Sequence, residues 1–487
     1  MSIPTLIPNW IDGAERPARD SQTLPKLSPA TGEPLCTLSR SGAADVEDAV
    51  QAALAAQEGW AELSPVARGD LLREAALLMR ERRTEIAEIV SQETGKSMKD
   101  ALGETGAAVE MGLFVAGEGR RFYGRTTTSA IPHRTALVSR QPIGVAGLII
   151  AANTPVANVA WKAYPALLCG NAAVMKASED TPATAWWVAR LFSEVGIPAG
   201  VFNVIQGLGP EAGAPIVEHQ EVDIVSFTGS CGVGRQIQAT AGARLAKVCM
   251  ELGGKNPLIV CDDADVDRAV EVAALSAYSN AGQRCASGSR LIVFDAVYDE
   301  FRQKLLDHTS GLTLGTADDD DLGPVINQRQ LDNMVAAVER ARAAGARVLI
   351  GGDRVGDDGH RGGFYMQPTL IEGAADDAEI SQAELFGPIA CLYRVQGFKD
   401  AVTLANRSPF GLTAAIHTRN VHRAMTFLAQ IKSGVASING PTYGSEPHMP
   451  FGGLRQSGTG WREAGTEALD VYSDWKTIYI HNDPSAV

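Results

Sequence analysis

The most constraining feature of this sequence is an alternation that begins near Gln141, where short apolar runs are separated by stretches of helical periodicity. The apolar runs are candidate buried strands at 143–151, 172–175, 201–205 and 223–227. The helical stretches between them lie at 181–196 and 232–242. Alternation of this kind predicts an α/β fold with a mostly parallel, doubly wound sheet that carries helices on both faces.

A second alternation follows the Gly253-Gly254 pair. Its strand candidates are 258–261, 291–294, 348–350 and 414–417, separated by helical patterns at 266–278, 298–312 and 331–344. A second α/β domain is therefore expected from about residue 254. The first third of the chain is expected to be helical, with a helix that starts at Ser64-Pro65 and runs towards Gly95.

Two segments, 125–140 and 471–481, fit neither α/β domain. Both have strand-like alternation, and exposed strands of this kind pair with each other or with another subunit. The acidic run 318–321 is interpreted as a solvated loop. The sequence has no HExxH, no CxxC and no Walker P-loop, so no metal site is predicted.

Charge and cysteine content exclude several classes of partner. The 487 residues carry a formal net charge of -14, which works against binding to nucleic acid or to anionic membranes. The seven cysteines are scattered and odd in number, as is typical of reduced thiols. No basic region followed by an apolar region opens the chain, so a cytoplasmic location is expected.

Two glycine-rich turns follow predicted strands, at 207–213 and at 227–234. Glycines in such turns let the backbone approach a pyrophosphate, whose charge a following helix N-terminus stabilises. Neither turn is a GxGxxG, and a plain tight turn is as good an interpretation of each as a nucleotide site.

One cysteine, Cys285, lies among glycines, serines and two arginines rather than among apolar residues. Such surroundings favour an accessible thiolate, which would be a nucleophile. Glu251 ends a strand-like run near the expected domain boundary, where burial would raise its pKa towards that of a general base. Asn153 lies where a strand gives way to a loop, and it is either a turn residue or an amide donor to an oxyanion.

Several motifs, taken in order, resemble those of the aldehyde dehydrogenase superfamily across nearly the whole chain. They are Phe227-Thr-Gly-Ser230, Glu251-Leu-Gly-Gly-Lys255, Gly282-Gln-Arg-Cys285, Glu384-Leu-Phe-Gly-Pro388 and Pro450-Phe-Gly-Gly453. The family's Pro-Trp-Asn-Phe-Pro is altered here to Ala-Ala-Asn153-Thr-Pro155, with the amide kept.

The resemblance implies a catalytic set. Cys285 would attack the aldehyde, the Asn153 amide would hold the oxyanion, and Glu251 would activate the water that releases the acid. Lys162 matches a lysine that the family keeps behind the active site, in a supporting role.

The resemblance also implies NAD as the cofactor, with NADP as the alternative. Lys176 and Glu179 would hold the adenosine ribose, and Glu179 would repel a 2′-phosphate. The remaining implied cofactor-binding residues lie by the pyrophosphate and the nicotinamide end, and they are Gly209, Phe227, Gly229, Ser230, Leu252, Glu384 and Phe386.

The aldehyde's tail would lie among Asn158, Trp161, Ser279, Arg284 and Ser445. Members that oxidise succinic semialdehyde use two arginines as a carboxylate clamp, and Trp161 and Ser279 stand at those positions here. The pocket is therefore expected to be polar, with Arg284 either facing the substrate or paired with an acid. A polar aldehyde or a carboxylated semialdehyde, such as 2-oxoglutarate semialdehyde, is the predicted substrate.

By the same resemblance, residues 1–124 and 143–253 would form a dinucleotide-binding domain and residues 254–453 a catalytic domain. Residues 125–142 and 469–482 would form a small β oligomerisation element of a homodimer or homotetramer. The alternatives are a CoA-acylating or phosphorylating relative, a non-catalytic structural relative, and a cofactor-free thiol hydrolase. Glu251 favours hydrolysis of the acyl-enzyme over the first of these.

Overall fold

The computed structural model describes residues 3–486. Residues 3–124 form short strands followed by four helices, namely β1 (Leu6–Ile7), β2 (Asn9–Ile11), β3 (Ala14–Arg16), β4 (Thr23–Leu27), β5 (Pro34–Ser39), α1 (Ala43–Glu62), α2 (Pro65–Glu81), α3 (Arg83–Thr94) and α4 (Met98–Glu118).

Residues 125–253 alternate between strands and helices: β6 (Arg125–Thr127), β7 (Arg134–Pro142), β8 (Val145–Ile149), α5 (Pro155–Leu168), β9 (Ala172–Lys176), α6 (Pro182–Glu194), β10 (Phe202–Ile205), α7 (Ala214–Glu218), β11 (Ile224–Thr228), α8 (Cys231–Ala243) and β12 (Lys247–Glu251).

The alternation continues to the end of the described chain: β13 (Asn256–Val260), α9 (Val266–Tyr278), β14 (Gly288–Phe294), α10 (Asp295–Ser310), α11 (Gln328–Ala343), β15 (Arg347–Ile350), β16 (Thr369–Glu372), α12 (Glu379–Gln382), β17 (Ile389–Val395), α13 (Phe398–Asn406), β18 (Thr413–His417), α14 (Val421–Gln430), β19 (Val435–Ile438), α15 (Ala468–Tyr472) and β20 (Ser473–His481).

The first large sheet has the strand order β12-β11-β8-β9-β10-β2-β3. The strands from β12 to β10 are parallel, and β2 and β3 are added antiparallel at one edge. The chain leaves β8 in one direction through β9 and β10 and returns on its other side through β11 and β12. This reversal is the strand order of a Rossmann-type dinucleotide fold, whose ligand crevice lies at the carboxyl ends of the strands beside the reversal.

The second large sheet has the order β15-β16-β17-β14-β13-β18-β19, parallel except for β15. Its first strand, β13, follows β12 of the first sheet after only four residues. This short link sets the carboxyl end of β12 close to the amino ends of β13 and β14. The predicted pair of doubly wound α/β sheets is confirmed.

A three-stranded antiparallel sheet, β20-β7-β6, combines the two segments that fitted neither domain. Nine residue pairs align β20 with β7, from Ser473 opposite Pro142 to His481 opposite Arg134. The expectation that these segments pair with each other is therefore confirmed.

The expectation that the first third is helical is wrong for its opening residues, which form β1 to β5. These strands are short and mix polar with apolar residues, so they give little periodic signal. The helix expected to run from Ser64 towards Gly95 is two helices that break at Arg82. Its ends are as predicted, since Ser64 caps α2 and Gly95 ends α3 with a φ of 75°.

A buried guanidinium ties the N-terminal helices to the first sheet. Arg68 on α2 is 3% exposed, and its Nε donates to the carbonyl of Leu168 at the end of α5 at 2.9 Å. Its Nη1 donates to the carbonyl of Ala61, in the last turn of α1, and to that of Leu63, just after α1. One side chain thus satisfies carbonyls at two helix C-termini that would otherwise be buried without a partner.

Within residues 3–486, no helix is long and apolar enough to cross a membrane, and no group of three or more histidine, cysteine and acidic side chains is placed to hold a metal ion. The acidic run 318–321 is a mostly exposed loop, in which Asp320 and Asp321 accept hydrogen bonds from nearby backbone N–H groups.

A buried histidine generates a test of stability. His417 ends β18 and is 2% exposed. Burial lowers the pKa of its imidazole to about 4, whereas an unfolded histidine titrates near ~6.5. The unfolded chain therefore binds the extra proton, and His417 should make the protein lose up to ~1.4 kcal/mol of unfolding free energy per pH unit between pH ~6.5 and ~4.

Denaturant unfolding of the wild type and His417→Gln, compared across this pH range, checks the effect. The wild type should lose stability relative to the variant as the pH falls. The variant His422→Gln, which replaces an exposed histidine and keeps His417, is the matched control and should follow the wild type at every pH. A pH-independent difference between the wild type and His417→Gln would refute the assignment.

Candidate active site

A cavity of about 850 Å³ opens where the carboxyl edge of the first sheet meets the loop before β14. We call it the central cavity. The loops after β8 and β11 and the end of β12 contribute one wall, as expected at the strand-order reversal. The loop that carries Cys285 contributes the opposite wall.

Most of the sequence-predicted site residues line the central cavity. Three are the predicted catalytic residues Asn153, Glu251 and Cys285. Four belong to the predicted substrate pocket: Asn158, Trp161, Arg284 and Ser445. Five belong to the predicted cofactor site: Gly229, Ser230, Leu252, Glu384 and Phe386.

The others lie outside this lining. Lys162 is fully buried on α5 behind the wall, and Phe227 is buried at the end of β11. Lys176 and Glu179 lie together after β9, and Gly209 lies in the turn after β10. Ser279 is half-buried, with its hydroxyl buried and without a hydrogen-bond partner.

The loop before Cys285 has an unusual backbone. Asn280, Ala281 and Gly282 have φ values of 53°, 51° and 66°, three consecutive residues in the left-handed region. Glycine is required at the third, because a Cβ on Gly282 would lie 2.1 Å from the Gly387 carbonyl oxygen. Past the turn, Asn256 Nδ2 donates to the Cys285 carbonyl at 2.8 Å and fixes the main chain at that residue.

The Cys285 thiol is protonated at neutral pH. Burial raises its pKa to about 12, and the carboxylates of Glu384 and Glu251 add to the rise, against a smaller opposing effect of Arg284. The expectation that its cationic neighbours make it a thiolate is therefore wrong for this state. Desolvation and two acids outweigh one guanidinium.

Asn153 bridges the two walls. Its Nδ2 donates to the Gln283 carbonyl, two residues before Cys285, at 2.9 Å. Its own carbonyl accepts from Lys96 Nζ at 2.9 Å and from Asn280 Nδ2 at 3.3 Å. The side-chain amide is thereby held beside the cysteine loop, where an oxyanion on a Cys285 adduct would need a donor.

Glu251 presents a carboxyl group with unused hydrogen-bonding capacity. It is 5% exposed, and neither of its oxygens has a hydrogen-bond partner within the described chain. Burial raises its pKa well above the ordinary range, and the nearby Glu463 carboxylate raises it further, opposed by Lys162. Burial and like charge are the conditions that bring a carboxyl group towards a general base's working range.

A buried polar network lies behind Glu251. Lys162 Nζ forms an ion pair with Glu463 and donates to Ser226 Oγ at 2.8 Å. Ser226 Oγ donates to Glu463 at 2.9 Å. Lys162 thus holds the carboxylate that lies behind Glu251, and it does not reach the cavity itself.

Glu384 and Phe386 line the central cavity, and Glu384 lies beside the link that follows β12. Burial raises the pKa of Glu384 to about 7, although the Gly254 N–H, which it accepts at 2.9 Å, opposes the shift. A Cβ on Gly253 would lie 1.8 Å from Glu384 Oε2, so a larger residue there would displace the Glu384 carboxyl group.

The turn after β11 has unused polar groups beside a helix N-terminus. Ser230 caps α8 by accepting the Val233 N–H at 3.5 Å. The Thr228 hydroxyl is buried, lines the cavity and has no hydrogen-bond partner within the described chain. A polar ligand with negative charge would suit this end of the cavity.

The far end of the cavity combines aromatic rings with one cation. The rings of Trp161 and Phe451 meet edge to face at 5.5 Å, and the Arg284 guanidinium lies 4.8 Å from the centre of the Tyr443 ring. No carboxylate in residues 3–486 forms an ion pair with Arg284, and its Nε is buried without a partner. The expectation that Arg284 pairs with an acid is wrong.

Sequence reasoning missed several cavity residues, notably Lys96, Glu104, Tyr443 and Glu463. Lys96 and Glu104 belong to a helical region that was assigned no role. A lone acid such as Glu463 carries no local signal, and only the tertiary structure sets it behind Glu251.

The fold and site together define a dinucleotide-type α/β protein with a thiol, an amide and a buried carboxyl group around one cavity. The family model "Aldehyde dehydrogenase family" matches residues 16–478. The chain belongs to the aldehyde dehydrogenase family, and the recognition made from its motifs is confirmed.

Relatives match along nearly their full lengths. The chain is 38% identical to the α-ketoglutaric semialdehyde dehydrogenase of Bacillus subtilis, over 90% of this chain and 91% of the relative. It is 36% identical to a betaine aldehyde dehydrogenase of Mesorhizobium japonicum, over 97% of this chain and 96% of that relative. A crystal structure of Staphylococcus aureus betaine aldehyde dehydrogenase in complex with NAD+ superposes with a TM-score of 0.96, at 33% identity, over 98% of this chain and 95% of that one.

The raised thiol pKa predicts slow alkylation of Cys285 in the cofactor-free protein. Because only the thiolate reacts, the iodoacetamide rate should rise about tenfold per pH unit from pH ~7 to ~10. Mass spectrometry of the labelled Cys285 peptide measures the rate, and a Cys231→Ser background removes the other cysteine in residues 3–486 that, like Cys285, is partly exposed. A plateau below pH ~9 would show a thiolate already formed.

Proposed function

We propose that the chain oxidises an aldehyde to a carboxylic acid with NAD as the hydride acceptor. The observation that carries this proposal is the convergence of Cys285, Asn153 and Glu251 on one cavity. The turn at the strand-order reversal lines the same cavity. Membership of the aldehyde dehydrogenase family supports the same reaction.

The residues present fit NAD. The unpartnered Thr228 hydroxyl, Gly229 and the capped start of α8 suit a pyrophosphate. Glu384 and Phe386 would hold the nicotinamide end, with Phe227 and Leu252 packed beneath. The NAD+ complexes of the S. aureus enzyme support this assignment.

Lys176 and Glu179 would hold the adenosine ribose, with Gly209 beside them. Lys176 Nζ lies 2.5 Å from Glu179 Oε2. Burial raises the pKa of the Glu179 carboxyl, but the Lys176 ammonium outweighs burial, so the net shift is downward and Glu179 is ionised. An anionic Glu179 disfavours a 2′-phosphate, so NAD should be preferred over NADP. Equal catalytic efficiency with both would contradict this.

The chain's own groups account for the covalent steps. The Cys285 sulfur bonds to the aldehyde carbon as the thiol proton passes to solvent and the carbonyl π pair moves to oxygen, and the Asn153 amide and the Cys285 N–H stabilise the resulting oxyanion. Bound NAD would supply the hydride acceptor, so Cys285 would carry a thioester once the carbon has lost its hydride. Glu251 then takes a proton from the water that attacks the thioester carbon, the C–S bond breaks, and Glu251 returns that proton to the departing Cys285 sulfur as the acid is released.

Retention of Glu251 favours hydrolysis over acyl transfer to CoA or phosphate. The carboxyl group has both oxygens without partners and a raised pKa, which suits a base that must take a proton from water. The non-catalytic alternative is disfavoured, because a structural protein has no need of this buried, unpaired acid.

The substrate we propose is a polar aldehyde, with a carboxylated semialdehyde such as 2-oxoglutarate semialdehyde as the leading candidate. Arg284 lies on the cavity wall, where no carboxylate of the described residues 3–486 forms an ion pair with it and its Nε has no hydrogen-bond partner. A guanidinium there attracts a carboxylate tail and repels a trimethylammonium one. Asn158 and Ser445 add polar atoms that suit an oxygenated tail better than a long alkyl chain. The similarity to the B. subtilis semialdehyde enzyme supports this choice.

We further propose a cytoplasmic homo-oligomer, a dimer or tetramer, with the domain division expected from the sequence. The outer strand β20 exposes Tyr479 (55%) and Ile480 (52%), and α14 exposes Val421 (64%) and Met425 (61%). Exposed apolar residues on an edge strand and a helix face suit a subunit interface. All seven cysteines are free, as in a reducing compartment. A monomeric mass by light scattering would contradict the assembly.

The base is tested by Glu251→Gln with Cys285→Ala beside it. Glu251→Gln should give a burst of reduced cofactor followed by steady turnover about 10² to 10⁴ times slower, because the thioester forms but water is not activated. Cys285→Ala should give neither phase while still binding NAD. Stopped-flow absorbance distinguishes them.

The pH dependence of steady turnover in the same experiment reports the protonation state of Glu251. Because the pKa of Glu251 is raised, the active carboxylate form grows as pH increases, so wild-type steady turnover should rise with pH. In Glu251→Gln that rise should disappear. A Glu251→Gln enzyme with no burst would assign the residue to an earlier step.

The substrate class is tested by Arg284→Ala across 2-oxoglutarate semialdehyde, succinic semialdehyde, betaine aldehyde and hexanal. Loss of a charge-assisted contact should reduce kcat/KM for the carboxylated aldehydes about 10- to 100-fold and leave hexanal almost unchanged. Arg340→Ala, which removes an exposed arginine, is the matched control. A native preference for hexanal, or an unchanged profile in Arg284→Ala, would refute the proposal.

A further inference from the structure

A buried ion pair between Lys96 and Glu104 lies beside Asn153 and has no part in the mechanism above. Lys96 Nζ is 2.6 Å from Glu104 Oε2, and their side chains are 6% and 5% exposed. Both residues line the central cavity. Lys96 follows Gly95, which ends α3, and Glu104 lies two turns into α4.

Glu104 caps the N-terminus of α5, which has no capping side chain of its own. Thr154, at the N-terminal end of α5, makes no side-chain capping bond, and Pro155 has no N–H. Glu104 Oε1 instead accepts the N–H of Val156 at 3.0 Å and of Ala157 at 3.4 Å. A carboxylate at this position satisfies the orphan donors and interacts favourably with the helix dipole.

Lys96 fixes the peptide of Asn153, which lies two residues before α5 begins. Its ammonium donates to the Asn153 carbonyl at 2.9 Å while pairing with Glu104. One ion pair therefore fixes both the Asn153 peptide and the first turn of α5. The Asn153 side chain, which donates to the Gln283 carbonyl at 2.9 Å, starts from this fixed peptide.

We propose that Lys96 and Glu104 are positioning residues for Asn153. Their ion pair sets the direction of the Asn153 amide relative to Cys285, and this inference rests on the proposed function of Asn153 as the oxyanion donor. Neither residue needs to touch the substrate, because the pair acts through one carbonyl and two N–H groups. A donor displaced by about 1 Å loses much of its stabilising effect on a developing charge.

Kinetics in two backgrounds test the proposal. Lys96→Met and Glu104→Gln are each measured alone and combined with Asn153→Ala, using 2-oxoglutarate semialdehyde and propanal with NAD. In the wild-type background, Lys96→Met should lower kcat about 10- to 100-fold and change KM less than about threefold. In the Asn153→Ala background it should lower kcat less than about twofold, because its effect is transmitted through that amide.

Controls separate positioning from folding. Arg302→Met breaks the Arg302–Glu372 ion pair, which lies outside the cavity lining, and should leave kcat unchanged. Removing one partner of a buried pair can unfold a protein, so the melting temperature and NAD binding are measured for each variant. If Lys96→Met fails to fold, Glu104→Gln and the double variant Lys96→Met/Glu104→Gln, which leaves no uncompensated charge, decide the question by the same comparison.

Equal fold losses in both backgrounds, or a rise in KM with unchanged kcat, would overturn the proposal. A wild type that reduces no NAD with either aldehyde would instead count against the proposed function. If the wild type shows no turnover, the positioning role of Lys96 and Glu104 is tested by amide hydrogen exchange in a peptide covering residues 150–158. Exchange should become faster in Lys96→Met but not in Arg302→Met, and unchanged exchange in Lys96→Met would refute the proposal.

Discussion

The hydrogen bond from the Asn153 amide to the Gln283 carbonyl is the contact on which the geometry of the site depends. It joins the loop after β8, in the first sheet, to the loop before β14, in the second. Each loop alone would be a surface connection with several accessible conformations. Joined, they place the amide two residues from Cys285 and define both walls of the cavity.

The electrostatics of the cavity follow from burying more acids than bases. Burial raises the pKa of Glu251 and of Glu384, and these two acids in turn help to raise the pKa of the Cys285 thiol. A protein could relieve this cost by pairing each acid with a lysine, as it does at Lys162–Glu463 and Lys96–Glu104. Among the buried acids of residues 3–486, only Glu251 has both carboxyl oxygens without a hydrogen-bond partner, which suits a base and would be a defect in a structural residue.

The large sheets and the primary site residues were predictable because their signals are local or carried by motifs. Long apolar runs predicted β8 to β11, and the capping pattern at Ser64-Pro65 predicted the start of α2. The pairing of β20 with β7 followed from two exposed strand-like segments that had no other place. Strands β16, β17 and β19 were missed, although β17 lies next to the central strand β14 of the second sheet, because periodicity alone does not distinguish a short apolar strand from a segment of a buried helix.

The sequence did not show whether the surroundings of a side chain raise or lower its pKa. Arginines beside Cys285 favoured a thiolate, yet only the tertiary structure shows that burial and two carboxylates outweigh Arg284. Arg284 instead lies beside Tyr443 on the cavity wall. It therefore lowers the pKa of the Cys285 thiol only slightly. The small effect of this cation has a chemical advantage. A cation close enough to stabilise the thiolate strongly would also weaken its nucleophilicity, since nucleophilicity falls as pKa falls.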